Sequence, residues 1–351
     1  MAMRLEPRTD TPLALRLLAP VGAVVAALAL CALLVAWTGA PVLRAYGLLF
    51  EGAVGSRFAL TETLTRATPL ILTGLAAAVA FRAKLWNIGA EGQLYMGALA
   101  AVVVGGGMLD LPAWALIPVV MIAGMAAGGV TLLGPAMLKV RFGVDEVVTT
   151  LLLNFVVLLL VSMLLEGPLK DPMGMGWPQS APVAEAAELP KLVERTRLHA
   201  GLTIALGLSV LLWLVDTRTI WGYENRAVGA NPRAAAFAGM PVTRIMLRTA
   251  LLSGGLAGLA GAAEVCGLKG YLTLDLSPGF GYSGIVVAML AQLHPIGVVG
   301  AALFIAGIFV GADAMSRAMP VPNYIADVLV AASLLCMLVA GLLARYRLRR
   351  G

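Results

Sequence analysis

The sequence predicts an all-α, polytopic membrane fold of about ten transmembrane helices, with broken or re-entrant segments. Three observations carry this prediction. Hydrophobic residues make up 60% of the 351 and charged residues 13%, whereas soluble domains run at about 45–50% apolar and about 25% charged. Several apolar runs reach the roughly 20 residues that span a bilayer core. Lys and Arg gather in the connections between those runs, as they do in inner-membrane proteins, so the net charge of +6 does not read as nucleic-acid binding.

The predicted spans are 15–38, 67–81, 89–106, 113–138, 146–166, 200–217, 246–268, 281–293, 296–316 and 323–344. The first apolar run, Leu17 to Trp37, is long for a signal-peptide core and reads as a retained helix. Segments 67–81 and 281–293 are short, so each needs a re-entrant geometry or continuation through polar neighbours. Span 113–138 carries Gly124 and Gly128, and span 246–268 carries Gly254 and Gly258, with Ala257 and Gly261 as a further small pair. Small residues at this spacing let helices approach closely where lipid supplies no hydrophobic drive. The 167–199 connection is rich in Pro and mixed charge, and its second half, Ala184 to Arg197, predicts a short surface helix. In the 218–245 connection, Pro232 at a first-turn position, a run of alanines and the stop at Gly239 predict a helix from Pro232 to Ala238. Its small residues suit docking of a soluble partner, against the plainer reading of a capped connector.

The chain thus reads as one transmembrane domain over 1–351. Its parts are an N-terminal tail 1–14, a first helix and outer loop 15–66, and a first half 67–166. The loop 167–199, the linking helix 200–217, the loop 218–245, a second half 246–344 and a tail 345–351 follow. With ten spans both ends share one side. Placing them inside puts sixteen of the 25 Lys and Arg on the inner face, which predicts N-in and C-in. Cys31, Cys266 and Cys336 lie in apolar runs without motif spacing, which argues against disulfides or a metal site. His199 and His294 stand far apart, and no Gly-rich loop ends in Gly-Lys-Ser/Thr, so neither a His-based centre nor a P-loop is expected.

Polar groups inside the apolar runs need a reason. In "KLWNIGAEGQLYMG", Asn87 and Gly89 suit the cap of a helix, with Glu91 in its first turn where the dipole favours an anion. The alternative is a broken helix at a cavity, as transporters use for polar substrates. In "VDEVVTTLLLNFVV", Glu146, Thr150 and Asn154 recur at i, i+4 and i+8 and share one helix face. Such residues face a bundle interior, as interhelical bonds or as a pathway lining. In "LSPGFGYSGIVVAML", Gly279, Gly281 and Gly284 interrupt regular helix while Tyr282 and Ser283 add hydroxyls. This stretch opens span 281–293 as "NIGAEGQ" opens 89–106, a correspondence that predicts an inverted repeat.

"FRAKLWNIGAEGQLYMGALAA" resembles the signature of permease subunits of bacterial ABC importers for nucleosides and simple sugars, in the group that includes the branched-chain amino acid and ribose permeases. "RFGVDEVVTTLLLNFV", "GYENRAVGANPRAAAFAGM", "LLSGGLAGLAGAAEV" and "GFGYSGIVVAMLAQLHPIGVV" resemble later blocks in the same order, over about 67 to 313. Family members usually carry Gly at the place of Lys84 and often Phe at that of Trp86. The resemblance implies about ten helices in two related halves and no enzymatic activity, with ATP-Mg held by a separate ABC ATPase and no cofactor in this chain. It implies that Gly229, Asn231, Arg233, Ala235 and Gly239 form the coupling element for that ATPase. It further implies a second, related permease and a periplasmic binding protein or lipoprotein, in the lipid of the bacterial inner membrane. The nucleoside branch is the best match, with simple sugars as the alternative, and Asn87, Glu91, Gln93, Thr150, Asn154, Tyr282 and Ser283 as candidate pathway residues. An ion-driven secondary transporter, using Glu91 and Glu146, is the rival. A membrane enzyme would need an interfacial cluster of His, Asp or Arg that the sequence does not display.

Overall fold

A computed structural model describes residues 3–7, 13–319, 321–322 and 324–350. In chain order the helices are α1 (Leu13–Trp37), α2 (Val42–Val54), α3 (Arg57–Arg82), α4 (Ala90–Gly105), α5 (Ala113–Phe142), α6 (Glu146–Glu166) and α7 (Gly201–Arg218). Then follow α8 (Ile220–Ala230), α9 (Pro232–Phe237), α10 (Val242–Glu264), α11 (Phe280–Leu290), α12 (Pro295–Ala318) and α13 (Ile325–Arg345). A π-helical turn, Val265–Lys269, extends α10. Two short strands at the chain ends, β1 (Met3–Pro7) and β2 (Tyr346–Arg350), pair antiparallel and are the exception to an otherwise helical fold.

Each of the ten predicted spans coincides with a helix. Six helices among the described residues are long and apolar enough to cross a membrane, or up to seven if α1 and α2, bent by 118°, form one span. α4 and α11 are shorter apolar helices, so ten is an approximate count of crossings. The short span 67–81 proves to be the end of α3, which continues backward through Thr61, Thr63 and Thr65 to Arg57. α2 is not expected from the sequence, because the region up to residue 66 reads as loop; Gly39, at φ 78, turns the chain into it. α8 is not expected either.

The helix expected over 184–197 is absent, and only Glu185–Ala187 forms a 3₁₀ turn. Its backbone is spent elsewhere: Val183 N–H donates to Gly270 O, Ala184 N–H to Gly105 O and Leu189 N–H to Cys266 O, each at 2.8 Å. Pro190, with no N–H to give, further blocks a helix.

The chain forms two compact units, one of residues 64–303, the other of 1–63 with 304–351. In the second, α1 packs on α13, and Val35, Ala40, Ala45, Met315 and Val321 form a small buried cluster. In the first, α10 is the central helix and packs on α4 and α5. It is 83% buried over its apolar window, against 22% for α6, which leaves α6 open to lipid or a partner. The contact is made through glycine. A Cβ on Gly258 would lie 2.2 Å from Gly124 O, and one on Gly254 2.4 Å from Gly128 O, so the two small-residue pairs face each other. Backbones this close gain dispersion and weak C–H···O contacts that larger side chains would prevent.

Candidate functional site

The site is built from two interrupted spans. α3 stops at Arg82 in a tight turn: Leu85 N–H donates to Ala80 O (3.1 Å) and Lys84 N–H to Phe81 O (3.0 Å), the paired bonds of a Schellman cap. Lys84 holds the left-handed position, at φ 54. Glycine takes that conformation at least cost, so Lys84 stands where the backbone favours Gly, the residue that the resemblance leads one to expect there.

The chain then runs extended along α6, and the polar face predicted from periodicity meets it. Trp86 N–H donates to Glu146 Oε1 (3.1 Å) and Ile88 N–H to Thr150 Oγ1 (3.2 Å). Asn154 Nδ2 donates to Ile88 O (2.9 Å), and Gly92 N–H donates to Asn154 Oδ1 (2.8 Å). Lys139 pairs with Glu146 and donates to Lys84 O. Three residues one turn apart thus satisfy the backbone groups that the interruption exposes, which low-polarity surroundings would otherwise penalise.

Asn87 points the other way. Its Nδ2 donates to Gln93 Oε1 (2.9 Å) and Ser253 Oγ (3.0 Å), while its Oδ1 accepts from Gln93 Nε2 (2.8 Å) and Gly89 N–H (3.0 Å). That uses the full capacity of the amide. Ser253 passes its own proton to Ala76 O (2.7 Å), so Asn87 ties the interruption to α3 and α10 at once.

The second interruption follows α10. Gly279, at φ 88, turns the chain into α11, and Ser277 Oγ accepts from Phe280 N–H at 2.9 Å as its cap. Here the two short helices meet by their N-termini. Glu91, in the first turn of α4, accepts from Gly281 N–H of α11 at 2.7 Å. A Cβ on Gly281 would lie 2.2 Å from Glu91 N. One side chain therefore serves two positive helix ends, whose first N–H groups have no intrahelical acceptor and take side-chain partners instead. Thr73 donates to Phe280 O (3.0 Å) and Asn154 Nδ2 reaches Tyr282 OH (3.1 Å), which closes the assembly.

Six of the seven candidate pathway residues are tied into this assembly, and the seventh, Ser283, is on α11. Asn87, Glu91, Gln93, Thr150, Asn154 and Ser283 are buried, whereas Tyr282 is 39% exposed. Tyr282 is the member of the set through which the polar network reaches open surface.

The coupling candidates separate into two groups. Asn231 Oδ1 accepts from Arg233 N–H (3.1 Å) and Ala234 N–H (3.2 Å), capping α9, and Gly239 at φ 81 ends that segment. Arg233 and Gly239 are exposed. Gly229 and Ala235 instead face inward: Ala235 lies in a core cluster with Phe81, Leu132 and Ile245, and a Cβ on Gly229 would sit 1.8 Å from Arg82 O. The exposed large apolar residues of this element are Ile220, Trp221 and Tyr223 on α8 and Phe237, 97% exposed, on α9. Sequence reasoning misses Phe237; a lone aromatic three residues after Ala234 in a short polar-flanked helix is its signal. Ser253, Ser277 and Thr73 are missed as well, since a hydroxyl in an apolar run carries no mark of its partner.

The charges around α8 are paired. Arg82 and Arg226 bridge to Asp216, and Arg248 pairs with Glu224 while lying 4.8 Å over the Trp221 ring. In the 167–199 loop, His199 is buried and its Nδ1 accepts from Gly201 N–H (3.1 Å). Burial, helped by the Lys191 charge, holds it down at about 4. Among the described residues no group of three or more His, Cys, Asp or Glu is placed to hold a metal ion.

Residues 59–338 match the family described as the branched-chain amino acid transport system permease component. The chain is 38% identical, over 98% of its length and 93% of the relative's, to a glucose ABC transporter permease protein of Haloferax volcanii. It is 37% identical to a guanosine ABC transporter permease protein of Bacillus subtilis, over 90% of this chain and 91% of the other. A nucleoside ABC transporter permease protein of Lactococcus lactis is 31% identical over 86% of this chain and 85% of its own.

Proposed function

Because the chain belongs to the branched-chain amino acid transport system permease family, we propose that it moves nucleosides through the cytoplasmic membrane by alternating access, driven by a separate ABC ATPase. The observation that carries this is the α8–α9 element. It seats Gly229 and Ala235 in the core yet projects Ile220, Tyr223 and Phe237 into open surface, apolar anchors of the kind an ATPase groove would cover. Arg233, Asn231 and Gly239 frame that surface, and the proposal puts it on the cytoplasmic side, as the N-in, C-in reading of the Lys and Arg distribution expects.

In this reading the two interrupted spans are the moving part of an inverted repeat, 67–166 against 246–344. A second permease and an extracytoplasmic binding protein complete the transporter, the latter docking on the 167–199 side. Tyr282 offers the first hydroxyl to a neutral, hydroxyl-rich substrate, while Asn87, Glu91, Gln93, Thr150 and Asn154 hold the shape behind it. ATP binding does work on the substrate only through a difference in its affinity between the two states. Simple-sugar transport is the second reading, favoured by the relative named for glucose.

The test is to purify the chain from its own membrane in mild detergent and identify its companions by mass spectrometry. An ATPase and a second permease are expected, and Phe237→Glu is expected to cut ATPase recovery about 30-fold, the effect of a hot-spot loss near 2 kcal/mol. Repeated recovery of the folded chain alone would favour an ion-driven carrier instead. Uptake of labelled uridine against glucose by the purified assembly then decides between the two substrates.

A further inference from the structure

We infer that Asn225, on α8, is the positioning residue that carries movement of the ATPase-facing element to both interrupted spans; the inference rests on the coupling role proposed above. The argument starts from the end of α3. Ala83 N–H, which would ordinarily bond Val79 O, is spent on Ala80 O at 3.0 Å in the capping turn. Val79 O is left as one of the orphan carbonyls of a helix end. Asn225 Nδ2 supplies its donor at 3.1 Å, from a helix 146 positions further along the chain.

The other half of the same amide reaches α10. Thr249 Oγ1 lies 3.0 Å from Asn225 Oδ1 and 2.8 Å from its own Ile245 O, so its single proton is shared between them. The orientation of the amide is settled chemically. A carbonyl can only accept, so the nitrogen must face Val79 and the oxygen Thr249. One side chain on α8 therefore grips α3 and α10, the two helices that lead into the interruptions at 83–89 and 270–279.

Nothing loose separates Asn225 from the exposed surface. Asn231 N–H bonds back to Ala227 O at 3.1 Å to close α8, and the Asn231 side chain caps α9, so the two helices are one jointed piece. Gly229 lies against Arg82 O, and the Arg82–Asp216–Arg226 and Arg248–Glu224 pairs brace the same junction. A shift of α9 against a partner must move α8. Through Asn225 it pulls on Val79 in the last turn of α3, shortly before Asn87 in the chain, and on α10 one turn from Ser253, the partner of Asn87.

The experiment uses the complete transporter in proteoliposomes, with labelled uridine as probe, or glucose if glucose is what the wild type carries. Two quantities are read: the amount of ATPase bound, and ATP hydrolysed per substrate molecule moved. Asn225→Leu is expected to bind the ATPase as the wild type does and to raise the ATP-to-substrate ratio about tenfold, within the usual 5- to 150-fold span of coupling free energies. Thr249→Val, which leaves the α3 cap in place, is expected to raise it less, and covers the case in which Asn225→Leu does not assemble. An unchanged ratio in both variants, or a parallel fall of hydrolysis and uptake, would make Asn225 a plain helix cap and overturn the inference. A wild-type chain that recruits no ATPase would overturn the coupling reading itself, and this inference with it.

Discussion

Replacing Asn154 by Leu strips the interruption of its longest brace. The side chain makes three bonds, from Gly92 N–H (2.8 Å), to Ile88 O (2.9 Å) and to Tyr282 OH (3.1 Å). Leu has similar bulk, so packing is kept and the loss is polar. An orphaned buried group costs about 1–3 kcal/mol in water-soluble proteins, which would put the two backbone groups at about 2–6. Bonds between membrane helices are worth less, about 0.6 kcal/mol on average, because the disassembled state in lipid also finds partners. Three such bonds come to about 2 kcal/mol, and this lower figure applies, since Asn154 lies in a span. A local opening made easier by about 2 kcal/mol speeds amide exchange roughly 30-fold. The assay is hydrogen exchange by mass spectrometry on the chain in nanodiscs, comparing peptides over 85–93 with peptides over 116–132 of α5. Acceleration is expected in the first only. Asn154→Asp, which keeps the acceptor for Gly92 but loses the donor to Ile88, should fall between. Exchange over 85–93 within about threefold of wild type, or equal acceleration in α5, would refute the brace.

Three further outcomes follow from the same geometry. Lys84→Gly is expected to raise stability by about 0.5–1 kcal/mol, because strain of about 1–2 kcal/mol at φ 54 is relieved and part is returned as unfolded-chain entropy; a thermal melt in detergent that shifts downward would count against it. Gly258→Ala places a methyl 2.2 Å from Gly124 O and is expected to cost roughly 1–3 kcal/mol through overpacking, read as a lower melting temperature that Gly22→Ala, where a Cβ meets nothing, does not reproduce. His199 titrates at about 4 when folded against 6.5 as a free side chain, so the unfolded chain binds the extra proton between those values. Stability is therefore full above about 6.5 and falls as pH drops toward 4, by about 3 kcal/mol if the whole shift is realised. Melts of His199→Asn across that window should be flatter than wild type.

Several features are legible in the sequence alone. The ten apolar segments are, because partition into lipid is a sum over single residues. The 232–238 helix is, because Pro, Ala and Gly act locally. So is the shared face of Glu146, Thr150 and Asn154, which follows from 3.6 residues per turn. What that face binds is not legible. Its partners at 86–92 lie some 60 positions away in sequence, and no local pattern names them. The small pairs Gly124/Gly128 and Gly254/Gly258 are each visible, but not that they face one another. Gly229 and Ala235 look like a docking surface and prove to be packing positions, while Phe237 carries too faint a signal to be singled out. α2 and α8 escape sequence reasoning because a short helix is held by what it lies against rather than by its own propensity.

The sequence by itself determined the membrane class, the positions of the spans and the places where helix gives way. Only the tertiary structure decided which backbone groups the buried polar side chains satisfy, and so which of them build the site and which open onto it. Local conformation and lipid partition are properties of neighbouring residues, whereas the partner of a buried hydrogen-bonding group is set by long-range packing, where an unmet group costs too much to be left unpaired.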